Sequence, residues 1–128
     1  MATKQTKKKK NLTPVYSGLV YIQSSFNNTI VTIADETGNV IAWASSGSIG
    51  FKGSKKSTPY AASLATSAAI EKAKIRGLKK VQIFISGVGS GRDSAVRAFQ
   101  NANIDVEIIK DITPVPHNGC RRKKVRRV

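Results

Sequence analysis

Acidic residues, cysteine and aromatic rings are all scarce in this chain. Seven Asp and Glu stand against 22 Lys and Arg, which leaves a net charge of +15 over 128 residues. Such an excess repels itself in the folded state, so a partner of opposite sign is expected, and polyphosphate is the usual one. Cys120 is the only cysteine, which excludes a disulfide framework and any zinc site built on several cysteines. No apolar run approaches the ~18 residues of a membrane span. Lys7–Lys10 are followed by Asn11-Leu12-Thr13-Pro14 rather than an apolar stretch, so no secretory signal and no membrane partner are expected. Carboxylates are too few and too scattered for two-metal hydrolysis, which needs several converging on one point. Asp35 and Glu36 share a turn, and Glu71 stands apart on a helix.

The positive charge is concentrated at the ends. Residues 1–10 hold five lysines and residues 113–128 hold six Lys and Arg, with no acid in either segment, while residues 11–112 carry only +4. This predicts a basic disordered tail over 1–13, a globular domain over 14–112 and an extended basic tail over 113–128. A charge run also suits a merely solvated tail. Two acid-free ends favour binding through Lys7, Lys8, Lys9 and Lys10 on one side and Arg121, Arg122, Lys123, Lys124, Arg126 and Arg127 on the other.

Between the tails the pattern predicts strands at 19–26, 29–34 and 40–44, joined by turns at Asn27-Asn28 and at 35–39. A loop follows over 45–57, with Gly47, Gly50, Gly53, Lys52, Lys55 and Lys56. Thr58-Pro59 reads as the cap and first residue of a helix reaching about Arg76 and stopped by Gly77. Its expected buried stripe is Ala61, Leu64, Ala65, Ala68, Ala69 and Ile75. A strand at 81–86, a glycine-rich turn, a helix to about Asn101 and a strand at 104–109 complete the order βββαβαβ. With right-handed crossovers the last two strands run parallel to the first, in a five-stranded mixed sheet. Thr113-Pro114-Val115-Pro116 ends the core, because two prolines cannot donate to a sheet.

Three constellations invite chemistry. In Gly87-Val88-Gly89-Ser90-Gly91-Arg92 a strand, a glycine turn and a helix start bring free amides together, which suits phosphate. Arg92 and Arg97 add charge nearby. Asp111 lies where a ribose-binding acid of a dinucleotide site would fall, but Arg92 occupies the third glycine's place, so RNA phosphate or a plain turn is preferred over a nucleotide cofactor. The loop Gly50-Phe51-Lys52-Gly53-Ser54-Lys55-Lys56-Ser57-Thr58-Pro59-Tyr60 mixes phosphate-neutralising lysines, hydroxyls and two rings. Phe51 serves either for base stacking or for covering the core's edge; for Tyr60 the second is expected. His117 and Cys120 form at most half a metal site. His117-Asn118-Gly119 reads instead as a turn that aims the arginine-rich tail. No catalytic residue, metal, cofactor or small-molecule substrate is expected.

These motifs, with Ser25-Phe26-Asn27-Asn28-Thr29-Ile30, Ala42-Trp43-Ala44-Ser45-Ser46-Gly47 and Asp111-Ile112-Thr113-Pro114-Val115-Pro116-His117-Asn118-Gly119-Cys120-Arg121, resemble small-subunit ribosomal protein eleven over residues 15–121. The resemblance is to the bacterial or organellar type. It implies a three-layer, ribonuclease-H-like α/β fold without nuclease activity. It also implies a place on the platform of the small subunit against ribosomal RNA. Ribosomal proteins seven, eighteen and, in many bacteria, twenty-one would be neighbours, and messenger RNA with its Shine–Dalgarno duplex would lie nearby. Arg122-Lys123 replace the family's two prolines, and Val88 stands where the family often has Pro. The rival readings are a general nucleic-acid packaging protein, which would need charge but not this order of motifs, and a nucleotide-dependent enzyme.

Overall fold

Apolar side chains alternate along residues 17–24, and the computed structural model folds this stretch as β1 (Ser17–Ser24), with Val20 and Ile22 fully buried. The structure describes residues 13–127. The expected N-terminal tail with Lys7, Lys8, Lys9 and Lys10, apart from Thr13, lies outside the described residues, as does Val128. The first strand sits two residues earlier than its expected 19–26. Ser25 and Phe26 belong to the turn instead: the Ser25 N–H donates to Asn28 O at 2.8 Å, and the Ser25 hydroxyl accepts from the Asn28 N–H at 3.1 Å. Antiparallel β2 (Thr29–Asp35) and β3 (Val40–Ser45) follow. The turn between them is clamped by Asp35, whose carboxylate accepts from the Thr37 hydroxyl at 2.7 Å and the Asn39 N–H at 2.8 Å. Those bonds, the Thr37 hydroxyl first, hold the Asp35 carboxyl below its usual range.

The loop after β3 contains a single 3-10 turn, Gly53–Ser57, before α1 (Pro59–Lys74). Thr58 caps this helix as expected, its hydroxyl accepting from the Ala61 N–H at 3.2 Å. α1 ends two residues short of the expected Arg76, in a tight turn closed by Arg76 N–H to Ala73 O and released by Gly77 at φ +84°. Its buried face is also corrected: Ala61, Ala62, Ala65, Thr66, Ala69, Ile70 and Ala73 are inside. Leu64 is exposed and Ala68 half-buried, and Ile75, past the last turn, is 81% exposed. Thr66 is tolerated inside because its hydroxyl donates to Ala62 O at 2.8 Å. β4 (Lys80–Ser86), α2 (Arg92–Asn101) and β5 (Asp105–Asp111) complete the chain. The last strand runs two residues beyond its expected end, because Lys110 and Asp111 still pair with Phe84 and Ile85.

The sheet order is β3-β2-β1-β4-β5, with β4 parallel to both β1 and β5. α1 lies on β2 and β3, α2 lies on β1 and β5, and the helices pack side by side. Both therefore cover the same face. Phe99 of α2 is the largest fully buried side chain, set among Val20, Ile22, Val31, Ile33, Val81 and Ile83. The small α1 face lets that helix sit close to the strands. Residues 13–127 thus build two of the three layers that the resemblance implies, and among the described residues no helix lies on the opposite sheet face.

Candidate nucleic-acid interface

β1, β3, β4 and β5 all point the same way, so the segments that follow them gather at one end of the sheet. These are the Asn27-Asn28 turn, the lysine loop, the glycine loop and the start of the C-terminal tail. Hydrogen bonds tie them together. The Ser46 N–H donates to Thr29 O at 3.1 Å, joining the lysine loop to β2. The Ser90 hydroxyl donates to Ser57 O, joining the glycine loop to the lysine loop. The Gly87 N–H donates to the Thr113 hydroxyl at 3.1 Å, joining the glycine loop to the tail.

The glycines of residues 87–91 are required by this clustering. A Cβ on Gly87 would come within 3 Å of the Ser24 carbonyl oxygen, and one on Gly89 within 3 Å of the Ser25 carbonyl oxygen. On Gly91 it would meet the Thr29 hydroxyl and the Ala62 methyl equally closely. Gly87 also holds φ +89°, which glycine adopts without strain. The close approach that these glycines allow is to the protein's own β1–β2 turn and α1. Arg92 begins α2 and binds Asp111 at 2.6 Å. Asp111 further accepts from the Thr113 hydroxyl at 2.6 Å and the Thr113 N–H at 2.9 Å. These bonds, Thr113 first and Arg92 after, lower its pKa to about 2. The acid at the ribose-binding spacing is engaged inside the chain, and its carboxylate offsets the charge of Arg92. Arg97 does not join this cluster; it lines a groove of about 460 Å³ between α1 and α2, with Ser63, Ser67 and Glu71.

In the lysine loop, Lys52 and Lys55 are exposed and Lys56 half-buried, while Gly53 and Ser54 open the 3-10 turn to solvent. The Ser57 hydroxyl donates to Ser54 O at 2.8 Å and the Thr58 hydroxyl to Lys55 O at 2.8 Å, which fixes where the lysines leave the backbone. Phe51 and Tyr60 meet edge to face at 6.1 Å. Tyr60, expected over the core's edge, is 66% exposed instead, because it sits on the outer side of the first turn of α1.

Beyond Asp111 the described chain has no strand or helix, and residues 114–127 are exposed throughout. His117, Asn118 and Gly119 form the bend that the sequence suggests, with Asn118 in the left-handed region at φ +58°. Arg121, Arg122, Lys123, Lys124, Arg126 and Arg127 follow, all exposed. Among the described residues no group of three His, Cys, Asp or Glu is placed to hold a metal ion. The sequence reading missed the outward residues of the strands, chiefly Tyr21, Trp43 and Phe84. Strand alternation carries that signal, but which face stays open depends on both helices choosing the other one.

Residues 18–127 match the family model for ribosomal protein S11. The chain is 56% identical over 125 residues to the small ribosomal subunit protein uS11 of Solibacter usitatus, covering 98% of this chain and 93% of that protein. It is 53% identical over 126 residues to the uS11 of Treponema pallidum, covering 98% of each. It is 52% identical over 126 residues to that of Rippkaea orientalis, covering 98% and 97%. With a family match over most of its length and relatives this similar from end to end, the chain belongs to the ribosomal protein S11 family.

Proposed function

We propose that this protein is a structural constituent of the small ribosomal subunit that binds ribosomal RNA through the loop-bearing end of its sheet and its basic tails. The observation that carries this is the convergence of four motif segments at one end of the sheet, three of them tied by the Ser90–Ser57 and Gly87–Thr113 hydrogen bonds. Lys52, Lys55 and Lys56 neutralise phosphates, the Asn27 and Asn28 side chains and the Ser54 hydroxyl bond sugar and phosphate oxygens, and the C-terminal arginines clamp phosphates bidentately. The amides of Gly89, Ser90 and Gly91 at the start of α2 add a phosphate contact. Its role is binding, not catalysis.

The finer reading follows the family. The protein sits on the platform of the subunit, beside ribosomal proteins seven and eighteen and, where present, twenty-one, with messenger RNA and the Shine–Dalgarno duplex close by. The ribosome is that of a bacterial cytoplasm, as the bacterial relatives suggest, or of an organelle. Sedimentation of the native protein tests the assignment. Co-migration with the small subunit through moderate salt is expected; co-migration with chromosomal DNA, or with neither, would point to a packaging protein instead.

A further inference from the structure

The sheet face turned away from both helices carries a row of directly paired residues, one from each strand: Trp43, Thr32, Tyr21, Phe84 and Lys110. Tyr21 and Phe84 stack with ring centroids 5.4 Å apart and planes 21° apart. Trp43 is 54% exposed at one edge of the row, and Lys110 is exposed at the other. The next row toward the loop end runs Ser45, Ile30, Gln23 and Ser86. It opens into a pocket of about 250 Å³ lined by Gln23, Ser25, Asn28, Ile30, Ser86 and Gly87.

The geometry points to a stacking platform for unpaired RNA bases on this face, with the pocket taking one base edge-on. The inference rests on the proposed RNA-binding function and extends it from the Asn27-Asn28 turn and the glycine loop onto the open sheet face beside them. Three features select bases over a protein partner. Hydrogen-bonding side chains are interspersed with the rings, Thr32 between Trp43 and Tyr21, Gln23 and Gln82 beside them and Lys110 at the end of the row, whereas the core of a protein interface is depleted of charge. Asn28 spends its carbonyl oxygen on the Thr29 N–H at 2.9 Å, which leaves its amide nitrogen to read a base edge. The pocket's Gly87 is also the residue whose N–H holds Thr113, so the cationic tail departs from the pocket rim. A backbone whose bases lie on the sheet would meet those charges next, the combination of rings and basic groove that holds single strands. A second copy of this chain is opposed by the charge of +15 on each.

Trp43 is the only tryptophan, so its emission reports on this face without any substitution. Single-stranded oligoadenylate added to the full chain is expected to quench it, and an RNA duplex of equal phosphate count is expected to bind without quenching. Trp43→Leu and Tyr21→Leu should each weaken oligoadenylate binding about fivefold or more and leave duplex binding unchanged. Equal emission with both RNAs, together with unchanged affinity in the variants, overturns the platform. Binding to small-subunit ribosomal RNA, measured alongside, keeps the two readings apart: if it persists, only the platform falls, and if it too is lost, the RNA-binding function falls with it. A concentration-dependent emission shift without RNA, with dimers in sedimentation, would assign the face to a second copy and sink the proposal as well.

Discussion

Deleting residues 121–128 separates the tail's electrostatics from the stability of the domain. Six cations are removed, and each can neutralise about one phosphate. At roughly 0.7–0.9 of log–log slope per contact, the salt dependence of RNA binding should lessen by about 4–5. Over a fourfold rise in salt, the full chain should therefore lose affinity roughly several hundredfold to a thousandfold more than the truncated one. Stability should hardly change. Residues 114–127 are all exposed, and the last described ties to the sheet are Ile112 N–H to Ile85 O at 2.8 Å and Gly87 N–H to Thr113. Loss of solvated chain of this kind costs within about 0.5 kcal/mol. Replacing Arg121, Arg122, Arg126 and Arg127 with lysine keeps the charge but removes the planar fork, so affinity should fall between the other two while the slope stays. Filter binding across a salt series and a thermal melt of each protein measure both quantities. An unchanged slope after deletion would show that the tail touches no phosphate, and a melt lowered by many degrees would show that it belongs to the core.

Gly38→Ala and Gly87→Ala place a methyl at similar φ, +98° and +89°, but only the second meets a backbone oxygen. Gly38→Ala should cost about 1–2 kcal/mol, and Gly87→Ala several times more, read as melting shifts of about 3–5 °C per kcal/mol; equal shifts would refute the tight seat of the glycine loop on β1. Asp111 has a pKa lowered from 3.8 to about 2, so its stabilising contribution is full above 3.8 and fades as pH falls toward 2. The melting difference between the native chain and Asp111→Asn should shrink over that interval, and a difference independent of pH would deny the Arg92–Asp111–Thr113 cluster its role. Replacing Lys52, Lys55 and Lys56 with alanine should lower the salt slope by roughly 2–3 with little change in melting; an unchanged slope would place the loop away from RNA.

Strand alternation, the Thr58-Pro59 helix start and the proline stop after Thr113 are local signals, and each marks its element in the structure to within a few residues. The failures have a common physical origin. Leu64 looks like part of a buried stripe because it falls at helical spacing from Ala61, Ala65 and Ala68. Burial is decided instead by where a narrow alanine face and Thr66 meet the strands and α2, which no single helix reveals. The glycine loop is legible as a close approach, but its sequence does not say to what; the answer, Ser24, Ser25, Thr29 and Ala62, lies on the β1–β2 turn and α1. Asp111 stands at a spacing that suits a ribose, and only the fold brings Arg92 onto it. The basic C-terminal segment is legible as charge alone, since charge needs no partner within the chain to be recognised, and it is exposed in the structure.

Among the described residues β1 is the earliest strand in sequence, and it is the middle strand of the sheet. Its β2 side is satisfied as soon as the next turn closes, with Ser24 opposite Thr29. Its other side waits for β4, where Ser17 pairs with Lys80. A growing chain that has reached only α1 therefore holds a three-stranded meander with a raw inner edge, the kind of edge that recruits other chains. Closing so long a loop into a parallel pair is slow compared with forming the hairpins. Val20, Ile22, Val31 and Ile33 remain partly uncovered in that interval, because α2, the source of Phe99, emerges later still. The strand order thus leaves the inner edge of β1 unpaired until β4 has been made, and the core incomplete until residue 99 has followed.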